Sequence, residues 1–346
     1  MPARFKVLFS VIAWLMIVTI LHLWLNTNVR DSASDAQARV RFKVGFLPVT
    51  CHLTCPVTHF INKSSTGDGM FEPMRFKGWP ELKEAFLSDH LQAAFILAPM
   101  AMVLREQGVP IKIVYLGHRD GTTMMVHRDS DIRQISDLRG KKVAVPNRFS
   151  NQRLIIFRAF QQLGISMDEV TLLEMPPPDM PAALSVRAVD AIISGEPFMA
   201  QSEMDGYGRV LFMTKDVWPE FISCVLAVNE HTIQKHRVEV QRLVEGIARS
   251  GMWLDQEMDH RMQAAKFTGE NYYNQDPKLL RFVLSKPPDR VKYTNLAVRR
   301  DDFEEIERIG KMAEILTGTA HFDDYADTTF VNDESTIQPY AWEATP

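Results

Sequence analysis

The side chains best equipped for chemistry crowd one short stretch. Thr50-Cys51-His52 and Thr54-Cys55 set two thiols, an imidazole and two hydroxyls between an apolar run and Pro56. His59 lies four residues beyond Cys55, about one helical turn further on. A Cys-His-x-x-Cys cluster of this kind admits several chemistries. A zinc site wants about four ligands and a partner CxxC, which the sequence lacks, so no metal is assigned. In an oxidising compartment Cys55 or Cys51 could pair with Cys224, the third and last cysteine. Otherwise the thiols serve as small buried apolar groups. His52 is also a donor suited to an anion. Farther along, Trp79 offers an apolar wall with an indole N–H. Asn151-Gln152 opens a helix, and Gly195-Glu196-Pro197 joins a strand to one. No catalytic residue and no cofactor are assigned. Gly140-Lys141-Lys142 lacks the upstream glycine and the Ser/Thr of a phosphate loop, and Asp205-Gly206-Tyr207-Gly208 lacks dinucleotide spacing.

The elements that would carry these residues alternate. Phe42, Val44, Phe46 and Leu47 predict a buried strand that Pro48 ends, since it has no N–H to donate. Thr54 is the expected N-cap of the next helix, with Pro56 as its first residue. Short β-type runs at 71–77, 93–97, 111–116, 123–127, 142–145, 170–173, 189–193, 210–213 and 224–228 are separated by helical segments, and beyond Asn229 the chain is mostly helical. Alternation of that kind predicts mainly parallel sheets with right-handed crossovers. Helix starts at Pro56, Pro99, Asn151 and Glu196 would then aim free N–H groups at the carboxyl ends of strands, where open α/β sheets take ligands. Arg119 is a candidate guard of the same cleft.

Length and composition narrow the class. The chain has 346 residues, 46% of them apolar and 24% charged, with a net charge of −4. That length suggests two domains, and no basic patch marks a nucleic-acid partner. The expected division is an anchor and tether over residues 1–40, one lobe from 41–120 plus 223–331, a second lobe from 121–222, and a tail over 332–346. Two crossings between the lobes would make a hinge. Arg4 and Lys6 precede an apolar run from Val7 to Leu25, which at about 1.5 Å per residue matches a bilayer core. The only small-residue cleavage site nearby, Ala36-Gln37-Ala38, lies far beyond that run. The expectation is a single-pass transmembrane anchor in the inner membrane with the body on the periplasmic side; late cleavage is the alternative.

Several segments follow one another at a familiar spacing: Val44-Gly45-Phe46-Leu47-Pro48-Val49-Thr50, Gly78-Trp79-Pro80-Glu81-Leu82, Ala93 to Met100, Asp137 to Val145, and Asp190 to Phe198. Together they resemble solute-binding proteins of ABC importers, in the branch that handles nitrate, bicarbonate, taurine, alkanesulfonates and thiamine pyrimidine precursors. The resemblance implies an α/β fold of the periplasmic-binding-protein type II, two lobes that close on a small, anionic solute, and a permease and ATPase as partners. It implies ligand contacts at Trp79, Gln152 and Gly195. Thr50, Cys51, His52, Pro99, Asn151 and Glu196 complete the expected ligand-binding set. Two departures stand out. Nitrate binders carry a lysine where this chain reads Pro219-Glu220-Phe221-Ile222, and Cys51-His52 replaces an Asp and small residues. Pyrimidine synthases of the thiamine pathway resemble the same fold and carry a cysteine cluster near Ser223-Cys224-Val225, so a synthase-like enzyme and a ligand sensor are the alternatives.

Overall fold

Two five-stranded sheets organise the chain, and each is built to nearly the same plan. The structure, a computed structural model, describes residues 13–22 and 42–343. The strands are β1 (Lys43–Phe46), β2 (Glu72–Arg75), β3 (Ala93–Leu97), β4 (Ile111–Leu116), β5 (Arg119–Asp120), β6 (Thr122–His127), β7 (Lys142–Val145), β8 (Thr171–Glu174), β9 (Ala191–Gly195), β10 (Gly208–Met213), β11 (Cys224–Asn229) and β12 (Val291–Lys292). The first sheet runs β2-β1-β3-β11-β4 and the second β10-β6-β9-β7-β8. β1 pairs in parallel with β2 and β3, while β11 is antiparallel to both β3 and β4. In the second sheet β7 is parallel to β8 and β9, and β6 is antiparallel to β9 and β10. Each sheet is therefore parallel except for one reversed strand. In each case that strand is the one the chain enters after leaving the other sheet.

The two passages between sheets run side by side. Arg119 bridges Ile222, and the Asp120 N–H donates to the Phe221 carbonyl at 2.8 Å. Asp120 and Gly121 both take positive φ, at 63° and 65°, so the backbone turns sharply where it crosses. β5 also pairs with β12, which ties the crossing to the C-terminal region.

Side-chain alternation explains how the second sheet is buried on both faces. Met124, Val126, Ala191, Ile193, Val143 and Val145 enter one apolar cluster, and Met125, Ile192 and Ala144 enter another. Successive residues of a strand point to opposite faces, so a sheet covered on both sides reads as a continuous apolar run. The first sheet shares one large cluster with the helices Arg237–Gln256, Met258–Thr268, Pro277–Ser285 and Arg300–Met312. Residues 332–343, most of them exposed, are tied to the body at Glu334, Tyr340 and Trp342. Trp342 meets Trp253, Phe60 and Phe267, and the Glu334 carboxylate accepts from the Tyr115 hydroxyl at 2.9 Å.

Two local expectations need correction. The helix after β1 is Thr54–Thr66 with Leu53 at its N-cap, preceded by a 3₁₀ turn Thr50–His52. Thr54 is thus inside the helix and not its cap, because the 3₁₀ turn already brings the chain into helical geometry by Leu53. The helix after β9 begins at Phe198, so Gly195 ends a strand and Glu196 opens no helix.

Residues 13–22 form a helix of their own, with Trp14, Leu15, Ile17 and Ile20 exposed. Among the described residues no helix is long and apolar enough to cross a membrane. The anchor expected over Val7–Leu25 extends beyond the described residues at both ends.

Candidate functional site

β1 stops at Phe46, and the chain turns over Pro48 into the 3₁₀ turn Thr50–His52, which lies where the crests of the two sheets meet. The Thr50 N–H donates to the Glu196 carbonyl at 2.6 Å, joining that turn to the end of β9. Two tyrosines from the C-terminal region hold it from behind. The Tyr273 hydroxyl donates to the Val49 carbonyl at 2.8 Å and the Tyr293 hydroxyl to the Thr50 carbonyl at 3.0 Å. The Thr50 hydroxyl lies 3.2 Å from His118 Nε2. Burial drives the His118 pKa down to about 3, and the nearby His52 adds to the effect, so this imidazole is neutral.

His52 is fully buried, and its Nδ1 accepts the Leu47 N–H at 2.7 Å. A ring nitrogen that accepts carries no proton, so in the neutral ring the hydrogen sits on Nε2. That Nε2–H meets no oxygen or nitrogen partner and lies beside the Cys51 and Cys224 sulfurs, the three ligand atoms falling within 4.8 Å of one another. The ring stands edge-on to Trp79 at 5.5 Å between centroids. Trp79, 3% exposed, has an indole N–H without a partner. A buried donor at the crest with nothing to bond to is unusual, because an unmet buried donor costs about 1–3 kcal/mol.

From the other sheet comes the helix Asn151–Gln162, capped by Ser150, whose hydroxyl accepts the Arg153 N–H at 3.2 Å. The cap puts Asn151 and Gln152 in the first turn, both buried. Gln152 Nε2 donates to the Ser223 hydroxyl at 2.9 Å and to the Thr122 hydroxyl at 3.1 Å. Asn151 Nδ2 donates to the Ile222 carbonyl. Both amide oxygens are left without partners. Ser223 leads to Cys224, whose Sγ lies 2.9 Å from Cys51 Sγ. A Cβ placed on Gly195 would meet only that Cys51 sulfur, at 3.8 Å. Seven of the sequence-derived residues therefore converge: Thr50, Cys51, His52, Trp79, Asn151, Gln152 and Gly195.

Two others play different parts. Pro99 sits in the first turn of the helix Ala98–Glu106, where the Ala98 N–H donates to the Ser223 carbonyl at 3.1 Å. The Glu196 carboxylate is turned away from the crest residues. Its Oε1 accepts from Thr123 at 2.7 Å and from Arg290 at 3.0 Å, and its Oε2 accepts the Ala200 N–H at 2.9 Å. Burial raises its pKa although Arg290 pulls it back. Arg119 guards nothing here. It is wholly buried and forks onto Asp302 at 3.0 and 2.8 Å.

Sequence reasoning missed His118, Thr122 and Ser223. None stands in a motif, and they reach the site because the two crossings bring 118–122 beside 221–223. The metal reading also changes its members. Cys51, His52 and Cys224 bring their ligand atoms within 4.8 Å of one another. Cys55 is buried apart from them, and His59 Nδ1 bonds the Tyr272 hydroxyl at 2.6 Å.

Comparison with known proteins places this architecture. Residues 35–269 match the NMT1-like family. The nitrate/nitrite binding protein NrtA of Nostoc is 22% identical over 271 residues, covering 71% of this chain and 61% of that protein. The bicarbonate-binding protein CmpA of Synechococcus elongatus is 24% identical over 136 residues, or 39% of this chain and 30% of that one. The chain thus spans less than two thirds of the length of these relatives. A crystal structure of the ligand-binding component of an ABC-type import system from Staphylococcus aureus with zinc bound superposes with a TM-score of 0.75 at 24% identity, covering 86% of this chain and 99% of that one. At that identity the likeness speaks for the periplasmic-binding-protein fold alone. On the extent of the family match, the chain belongs to the NMT1-like family.

Proposed function

We propose that this chain is an extracytoplasmic receptor that closes on a small anionic solute and delivers it to an ABC permease and ATPase. In this reading residues 41–120 with 223–331 form one lobe, 121–222 form the other, and the paired crossings at 119–122 and 221–223 are the hinge. The apolar segment Val7–Leu25 tethers the receptor to the membrane, which would raise its effective concentration at the permease. The observation that carries the reading is the unpartnered buried indole donor, Trp79 Nε1, at the crest of one sheet, with the Asn151 and Gln152 oxygens unpartnered at the crest of the other. An indole N–H donor suits an anion's oxygen. Two amide acceptors suit a protonated oxygen or an amine on the same solute, as bicarbonate or an aminosulfonate provides. The relatives named for nitrate, nitrite and bicarbonate support the same class, while Pro219-Glu220-Phe221-Ile222, where the resemblance to nitrate binders calls for a lysine, holds none and weighs against bare nitrate.

A thermal-shift screen of the full chain against nitrate, nitrite, bicarbonate, taurine and short alkanesulfonates tests this. A bound solute at 100 times its Kd stabilises by about 2.7 kcal/mol, so one of these should raise the melting point by several degrees. No shift with any of them would remove the proposal. An enzyme of the thiamine-pyrimidine type is the second reading, favoured by Cys224 standing at the site. Turnover of a bound compound under assay would select it.

A further inference from the structure

Cys51 Sγ and Cys224 Sγ lie 2.9 Å apart, both sulfurs buried, on elements 173 residues apart in the chain. With His52 they satisfy the spacing of a three-ligand metal site, but two features argue for different chemistry. One zinc holding two thiolates at about 2.3 Å in tetrahedral geometry keeps the sulfurs roughly 3.8 Å apart. His52, moreover, has its proton on Nε2, because Nδ1 is occupied in accepting the Leu47 N–H. A metal at Nε2 would force a proton onto Nδ1, directly against that N–H. As a donor the imidazole instead favours a thiolate beside it. We propose that Cys51 and Cys224 form a redox-active dithiol–disulfide pair set into the wall of the solute cleft.

The two thiols differ in character, as exchange requires. At Cys224 burial works against ionisation, but the hydrogen bond from Cys51 and the proximity of His52 prevail and lower its pKa. At Cys51 burial and the Cys224 charge both act to raise it. Cys224 is therefore the attacking thiolate. It displaces one thiolate from an external disulfide, of the oxidised-glutathione or protein-disulfide class, and forms a mixed disulfide. Cys51 then gives up its proton and attacks the Cys224 sulfur, releasing the donor's second thiolate. Two protein thiols are oxidised to one disulfide and the donor disulfide is reduced to two thiols. Cys55 has no part in this: burial alone holds its thiol in the neutral form, away from the pair.

Access sets the second half of the argument. A disulfide donor reaches the sulfurs only when the crests part, which breaks the Thr50 N–H bond to the Glu196 carbonyl. A solute that holds the cleft shut should then slow oxidation, an expectation that rests on the receptor reading, whereas the pairing itself does not.

The test is thiol mapping on the full-length protein, reduced, desalted without oxygen and equilibrated in glutathione buffers from fully reduced to fully oxidised. Alkylation and peptide mass analysis should show Cys51 and Cys224 lost together as one cross-linked peptide pair, with Cys55 still alkylated under denaturing conditions. Cys55→Ser should behave as the wild type, and Cys51→Ser or Cys224→Ser should abolish the cross-link. A cross-link that uses Cys55, or Cys51 and Cys224 both still alkylated in fully oxidised buffer, would overturn the proposal. So would binding of one equivalent of zinc to the reduced protein with both thiols shielded. The wild-type map decides the pairing even if a variant fails to fold.

Discussion

His118 carries a stability signature that can be worked out in advance. It is fully buried against Thr50, and its pKa falls from 6.5 to about 3. In the unfolded chain the same imidazole titrates near its ordinary value, so between those two pH values the unfolded state binds the extra proton. Stability is then greatest above about pH 6.5 and is lost as the pH falls toward 3. Linkage with these two values gives a loss of about 2 kcal/mol between pH 7.5 and pH 5 from this residue alone, reaching about 4 kcal/mol by pH 3. The assay is urea unfolding of the wild type and of His118→Asn at pH 7.5 and pH 5. Carboxylates and histidines remote from His118 contribute equally to both proteins and cancel in the double difference. The wild type should lose about 2 kcal/mol more than the variant over that interval. Equal losses in the two proteins, within about 0.5 kcal/mol, would refute the claim that His118 is held neutral beside the 3₁₀ turn.

Other expectations follow from single contacts. Arg290→Met strands the buried Glu196 carboxylate, which keeps only Thr123 and the Ala200 N–H. Breaking a buried pair in this way costs about 3–5 kcal/mol, readable as a lower urea midpoint at neutral pH. Part of the loss should be recovered on acidification, because protonating the stranded Glu196 relieves it. Gly117→Ala would push a methyl into the Cys51 carbonyl oxygen and to 3.1 Å from that of Cys224, so it should destabilise by about 1–3 kcal/mol or more. Gly195→Ala meets only the Cys51 sulfur at ordinary contact distance. It should leave stability within about 0.5 kcal/mol of wild type, as calorimetry of the two glycine variants would show.

How much of this was legible in the sequence depended on whether a feature was local. A strand that stops short of Pro48 and a helix opening at Asn151 are written in neighbouring residues, and the structure has both, with β1 already ended at Phe46 and Ser150 as the helix cap. The start of the helix after Cys51 was misread because a Thr before a Cys-Pro pair is also compatible with a 3₁₀ turn flowing straight into a helix. Glu196 looked like a ligand contact from its place after β9. What occupies its carboxylate is Arg290, 94 residues away, and no spacing rule announces that partner. Cys224 faces Cys51 rather than Cys55 for a related reason. Residues 51 and 55 fall on successive turns, and only the position of β11 decides which one it faces. His118 was overshadowed by Arg119 beside it, although the crossing backbone sends the arginine to Asp302 and the imidazole to Thr50.

The receptor account stands on an indole N–H waiting at the crest, and removing it is the most direct trial. Trp79→Phe keeps an aromatic wall and deletes the indole donor, so titration calorimetry of the solute found in the screen isolates that bond. A hydrogen bond to a charged group is worth about 1.5–3 kcal/mol, which predicts a Kd weakened by roughly 10- to 150-fold with the melting point of the free protein held or raised. An unchanged Kd in that variant would place the solute somewhere other than beside Trp79.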